Sequence, residues 1–168
     1  MPRIHTHRMT TPISAVQVTI EAPRELVFEM AGAVGGTLPG GPPHHAELIS
    51  RDGDLLVVRY SAPPPFRFFG FLEEVRLSRP SRIDYRVLKG PLDRVEEWLL
   101  LDEPSARRTL VTYGGLVESR IPVIGSLVER LVAAPAYRWY MRRTLAALKV
   151  AAERRASRSR RYAAAPTD

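Results

Sequence analysis

The sequence predicts an α+β fold in which one long C-terminal helix covers a curved antiparallel β-sheet. Three observations lead there: short alternating segments run from Ser14 to Glu118, turn residues sit between those segments, and one amphipathic segment extends from Ser126 to Arg155. A helix of about 28 residues at ~1.5 Å per residue is ~40 Å long, enough to cross a small sheet. Strands curving around a single helix leave a cleft beneath it, and a cleft suits an apolar ligand.

Residues 1–13 carry no periodic pattern and read as a flexible arm. From Ser14, the alternation of Val16, Val18 and Ile20 has the period of two expected of a half-buried strand, which Glu21-Ala22-Pro23 then stops. Pro23 suits the first turn of a helix. Leu26, Val27, Met30 and Ala31 follow at helical spacing, and Gly32 ends that short element. Gly35 to Pro43 is too rich in Gly and Pro for regular structure and reads as a loop. Ala46–Ser50 and Leu55–Ser61 flank Asp52-Gly53, a hairpin-turn dipeptide. Phe66–Leu77, Ile83–Leu88, Val95–Leu101 and Thr109–Glu118 complete the strands. Short connections make them antiparallel neighbours in a meander.

The last element opens at Ser126 as N-cap, with Glu129 three residues on completing a capping box. Leu127, Leu131, Ala134, Met141, Leu145, Leu148 and Ala152 form one apolar stripe, and arginines fill the other side. Pro135 interrupts the middle, so the segment either kinks there or divides into two helices. Residues 156–168 lose periodicity and read as a basic disordered tail.

At 168 residues, 45% apolar and 26% charged, the chain fits one domain, spanning 14–155, that buries a core without staples. The absence of cysteine excludes disulfides, thiolate metal sites and cysteine nucleophiles. The first residues lack the apolar stretch of a secretory signal, and no apolar run is long enough to span a bilayer, so we expect a cytoplasmic location. The formal charge is +7, and from Arg138 to Arg161 nine basic side chains stand against the single acid Glu153. This end suits peripheral contact with anionic membrane at ~1 kcal/mol per basic residue. No aromatic sheet signature of specific RNA recognition accompanies it.

Several local patterns resemble one superfamily. Val18-Thr19-Ile20-Glu21-Ala22-Pro23-Arg24-Glu25-Leu26-Val27-Phe28 looks like its first strand and helix, and Gly90-Pro91-Leu92 followed by Glu97-Trp98 like its sixth strand. Arg108-Thr109-Leu110-Val111-Thr112-Tyr113 is similar to the strand that follows, with arginine in place of the turn glycine. Ile121-Pro122-Val123-Ile124-Gly125 and Leu145-Ala146-Ala147-Leu148-Lys149 are similar to the approach and body of its final helix. In this order they resemble the START/polyketide cyclase superfamily, which includes the birch-pollen allergens. The resemblance implies a helix-grip fold: a curved antiparallel β-sheet wrapped around a long C-terminal α-helix, with two short helices after the first strand. It also implies a lipid, quinone or polyketide-like ligand between sheet and helix, and in a minority of members cyclisation, dehydration or hydrolysis.

The expected ligand-binding residues are Phe69, Phe71, Tyr85, Trp98, Tyr113, Tyr137, Met141 and Leu145, an apolar lining with a few hydroxyl and indole donors. Phe68 and Phe69 are adjacent on a strand and cannot both face inward. Among the acids Glu73, Glu74, Glu96 and Glu97, Glu97 shares a face with Val95, Leu99 and Leu101. It is therefore the candidate base of a cyclase or dehydrase, facing Arg59 or Arg76 and working with Tyr85 or Tyr113. Cross-strand ion pairs on the solvent face are the competing reading of these acids. His5, His7, His44 and His45 do not converge as metal ligands, and no nucleotide motif is present, so neither metal nor cofactor is expected. Three functions stay open: a noncatalytic binder of a hydrophobic small molecule, a cyclase or dehydrase, and a module docking on membrane or a partner.

Overall fold

The computed structural model describes residues 9–33, 45–61, 70–90, 94–119 and 134–163. Seven strands form one antiparallel sheet: β1 Met9–Ile20, β2 His45–Asp52, β3 Leu55–Ser61, β4 Gly70–Ser78, β5 Arg82–Lys89, β6 Arg94–Ser105 and β7 Arg108–Ser119. Their spatial order is β1-β7-β6-β5-β4-β3-β2, a meander closed at one side by the return of β1 against β7. Two helices are described, α1 (Arg24–Ala31) between β1 and β2 and α2 (Ala134–Ala163) at the end. A curved antiparallel sheet with a long terminal helix is the α+β helix-grip arrangement.

The alternation of each strand selects the concave face. Leu56 and Val58 on β3, Val75 and Leu77 on β4, Ile83 on β5, Leu99 and Leu101 on β6, and Val111 and Tyr113 on β7 are all buried. The β2–β3 turn uses Gly53 at φ 57, the left-handed conformation open to glycine without a Cβ clash. In α1, Val27 and Phe28 are buried, and the Gly32 N–H donates to the Phe28 carbonyl at 2.9 Å, closing the helix. Thr109, buried at the start of β7, donates its hydroxyl to the Ala22 carbonyl at 2.8 Å and joins the β1–α1 corner to the sheet.

Helix α2 turns Met141, Leu145, Leu148, Ala152 and Ala156 into the core, a spacing of three and four that keeps one face against the sheet. Its polar side is anchored too. The Lys149 ammonium donates to the Thr19 carbonyl and to Glu153 Oε1, each at 2.6 Å, and the Glu21 N–H donates to the same carboxyl at 2.9 Å. Arg138, Arg142 and Arg143 face solvent, and Trp139 beside them is 60% exposed, with the Arg143 guanidinium 5.6 Å from its ring centre.

Two boundaries differ from those expected. Strand β1 begins at Met9, inside the expected arm, because Met9 to Ile13 pair with Ser119 to Gly115, and a bulge between Ile13 and Val16 hides the continuity in the sequence. Helix α2 continues through Ala163, inside the expected tail, because buried Ala156 extends the apolar row by one more turn. Pro135 is the second residue of the described stretch of α2, and the residues before Ala134, on which a kink or division there would depend, lie outside the described residues. Ser126 and Glu129, the expected cap, lie outside the described residues, as does the stretch 34–44, where a second short helix after β1 would fall.

Candidate functional site

Beneath the first turns of α2 the apolar concave face becomes polar. On β4 the inward residues run Phe71, Glu73, Val75, Leu77, on β5 Ile83, Tyr85, Val87, and on β6 Val95, Glu97, Leu99, Leu101, with Tyr60 entering from β3. Tyr85 stands directly opposite Glu97 and, on its other side, opposite Val75. Glu73 pairs with Val58 and Val87 and so lies two strands and two residues along from Glu97, a backbone separation of about 12 Å that inward side chains on a curved sheet shorten. Tyr140 of α2 closes the group from above, half-buried and packed on the core.

The electrostatics follow from this enclosure. Burial, and secondarily the charge of Glu97, push the Glu73 carboxyl up to about 8, so at neutral pH it is mostly an uncharged acid. Burial is also the leading cause for the tyrosines. Tyr60, further raised by Glu73, Tyr140 and Glu97, and Tyr85, further raised by Tyr60, Glu73 and Glu97, both stand well above the ordinary phenol value. Tyr140 is raised as well, by burial and then by Glu73 and Glu97. All three hydroxyls therefore keep their protons and remain donors.

The four acids singled out in the sequence sort by face. Glu74 pairs with Arg86 at 3.2 Å and Glu96 with Arg94 at 2.6 Å, both on the outer surface. Glu73 and Glu97 turn inward, one from each adjacent pair as regular strands require, whereas the sequence favours Glu97 alone as the base. Glu73 was legible in principle, since Val75 and Leu77 share its face. Arg59 and Arg76 do not face Glu97 as expected. Strand alternation puts both on the outer side, where Arg59 meets Glu47 at 2.7 Å.

Among the expected ligand-binding residues, Phe71, Tyr85 and Tyr113 lie on the concave face, and Met141 and Leu145 on the sheet-facing side of α2. Trp98 does not join them. It occupies the outer face, opposite Asp84 and Gly114, with Arg82 5.9 Å from its ring centre. Space explains this: a Cβ at Gly114 would come within 2.9 Å of the indole nitrogen, so the missing side chain makes room for the ring. Phe69 and the Tyr137 side chain lie outside the described residues. Among the described residues no group of three or more His, Cys, Asp or Glu is placed to hold a metal, and no helix is long and apolar enough to cross a membrane.

By sequence, no family model and no curated protein matches the chain. Solved structures do match in shape. A Thermus thermophilus protein superposes with a TM-score of 0.70 at 23% identity, covering 83% of this chain and 94% of that one. The Zhui aromatase/cyclase from a Streptomyces species gives 0.67 at 21% identity, over 88% and 96%. A START superfamily protein from Mycobacterium smegmatis gives 0.67 at 16% identity, over 86% and 99%. The chain has the fold of the START/polyketide cyclase superfamily along most of its length. At these identities the likeness concerns architecture and assigns no activity.

Proposed function

We propose that this protein binds a small molecule with an apolar body and a polar head in the cleft between the concave sheet face and α2. The observation that carries the reading is a polar group set into an apolar wall: neither Glu73 nor Tyr85 makes a hydrogen bond among the described residues, and both are half-buried on the concave face, where their oxygens stay open to a molecule in the cleft. Interior polar atoms ordinarily have partners, and a bound molecule or trapped solvent supplies one. Fold neighbours add support, since an aromatase/cyclase and a START protein share this architecture. A lipid, quinone or polyketide-like compound meets the description. The test is native mass spectrometry of the gently purified protein, together with uptake of the neutral dye Nile red. Saturable dye binding that Leu145→Trp blocks is the expected result; no bound mass and no dye uptake would remove the reading.

A second reading, acid–base catalysis, is favoured by the two unlike carboxyls. Glu73 holds a proton at neutral pH while the charge of Glu97 helps keep it there. In a dehydration, Glu97 would take a proton from the carbon next to a carbonyl, the electron pair would form a carbon–carbon double bond, and Glu73 would protonate the departing hydroxyl as water. A β-hydroxyketone losing the mass of water, with Glu73→Gln and Glu97→Gln each inactive, would establish it. Turnover surviving either substitution would count against it.

A further inference from the structure

Deepening the binding reading, on which it rests, we infer that the cleft selects a cationic amine: an apolar molecule whose ammonium group is seated between Glu73 and Tyr85. The groups facing Glu73 from each packed element are Tyr60 on β3, Tyr85 on β5, Glu97 on β6 and Tyr140 on α2, two carboxyls and three phenols in all. Of the basic side chains on the adjoining strands, Arg59, Arg76 and Arg86 are turned to the outer face, two of them paired there with Glu47 and Glu74. An ammonium offers three donors and no acceptor, which suits carboxylate oxygens, a phenol oxygen and the faces of tyrosine rings. A carboxylate head would meet two acids. A neutral hydroxyl would find partners but gain nothing from the charge.

The half-buried Tyr85 is an observation independent of the acids. Its hydroxyl has no hydrogen bond among the described residues, yet it stands beside Glu97 on one side and diagonally beside Glu73 on the other. A cation there would accept the phenol lone pair while bridging toward both acids. Proton linkage sharpens the inference. With Glu73 mostly protonated below about 8, seating an ammonium expels that proton, so affinity rises with pH by at most about tenfold per unit toward pH 8. It then levels off while the amine keeps its own charge, to about pH 10. The tyrosines, raised above their ordinary value, do not titrate in this range.

The experiment compares three probes of one chain length, dodecylamine, dodecanol and dodecanoate, each displacing Nile red at about pH 6, 7 and 8. The expected result is a preference for dodecylamine of roughly tenfold over dodecanol and more over dodecanoate at pH 8. That preference should shrink toward pH 6 and fall to about one in Glu73→Gln. At pH 7 calorimetry in two buffers of different ionisation enthalpy should register release of a proton with dodecylamine alone. Dodecanol or dodecanoate binding as tightly as the amine, or a preference flat with pH or retained in Glu73→Gln, overturns the amine assignment and leaves the cleft intact. Displacement by none of the three overturns the cleft reading and the amine assignment together.

Discussion

Gly115 on β7 stands directly opposite Glu97 on β6, and a Cβ added there would come within 3.2 Å of Glu97 Cγ and 2.7 Å of the Glu96 carbonyl. Its neighbour Gly114 makes the same kind of room for Trp98 on the outer face. One glycine pair thus lets an acid sit inside the sheet and an indole outside it. Gly115→Ala presses on backbone as well as on Ile13, and we expect it to lower stability by ~1–3 kcal/mol in urea denaturation. Wild-type stability in Gly115→Ala would mean that the sheet yields there freely.

Glu73 makes stability depend on pH in an unusual direction. Its folded-state value is raised, so the proton it holds contributes stability fully below the ordinary carboxylate range, and that contribution is lost as pH rises through about 8. Between about pH 6 and 9 the wild type should lose on the order of 1–3 kcal/mol, discounted for partial solvent access, whereas Glu73→Gln should stay level. Denaturation midpoints at the two pH values measure this. Parallel losses in both proteins would assign the slope to another group.

The clamp between Lys149 and Glu153 behaves oppositely. Burial pushes the Glu153 carboxyl up, but the Glu21 N–H and Lys149 together outweigh it and hold the group below the ordinary value. Its contribution is present above the ordinary carboxylate range and disappears as pH falls through the lowered value. Glu153→Gln should cost about 1 kcal/mol at neutral pH and nothing once the wild-type carboxyl is protonated, read from thermal midpoints at neutral and acid pH.

Leu145 joins the sheet-facing side of α2 to the core at 2% exposure. Truncating it to alanine should cost ~2–5 kcal/mol. Hydrogen exchange should then quicken along α2 more than in β6 or β7. Uniform loosening of helix and sheet would show that α2 does not open as a separate unit.

Much of this architecture is legible in the sequence because period two and turn chemistry agree from Val16 to Glu118. The inward register of β6 stays open in the sequence, because Val95, Leu99 and Leu101 favour one face and Trp98 the other; the structure buries the first set. Alternation puts one of Glu73 and Glu74 inward, but the neighbours that surround Glu73 come from β3, β5 and α2, which a single strand does not show. Trp98 was misjudged for a similar reason. An aromatic ring is expected inside, and the room that Gly114 leaves outside lies on another strand. Met9 to Ile13 show no alternation that marks a strand, and their place in the sheet comes from backbone pairing with β7. Ala156 was passed over because alanine among arginines and serines gives little hydrophobic signal, yet its position continues the row of Leu145, Leu148 and Ala152.

The central claim is that the polar group beneath α2 is an enclosed binding site with Glu73 at its heart. The most direct measurement is an infrared titration of the carboxyl band that Glu73→Gln removes, recorded with and without dodecanol. The account predicts a midpoint near 8 and a band that shifts when dodecanol binds. A midpoint in the ordinary carboxylate range, with a band indifferent to dodecanol, would contradict it.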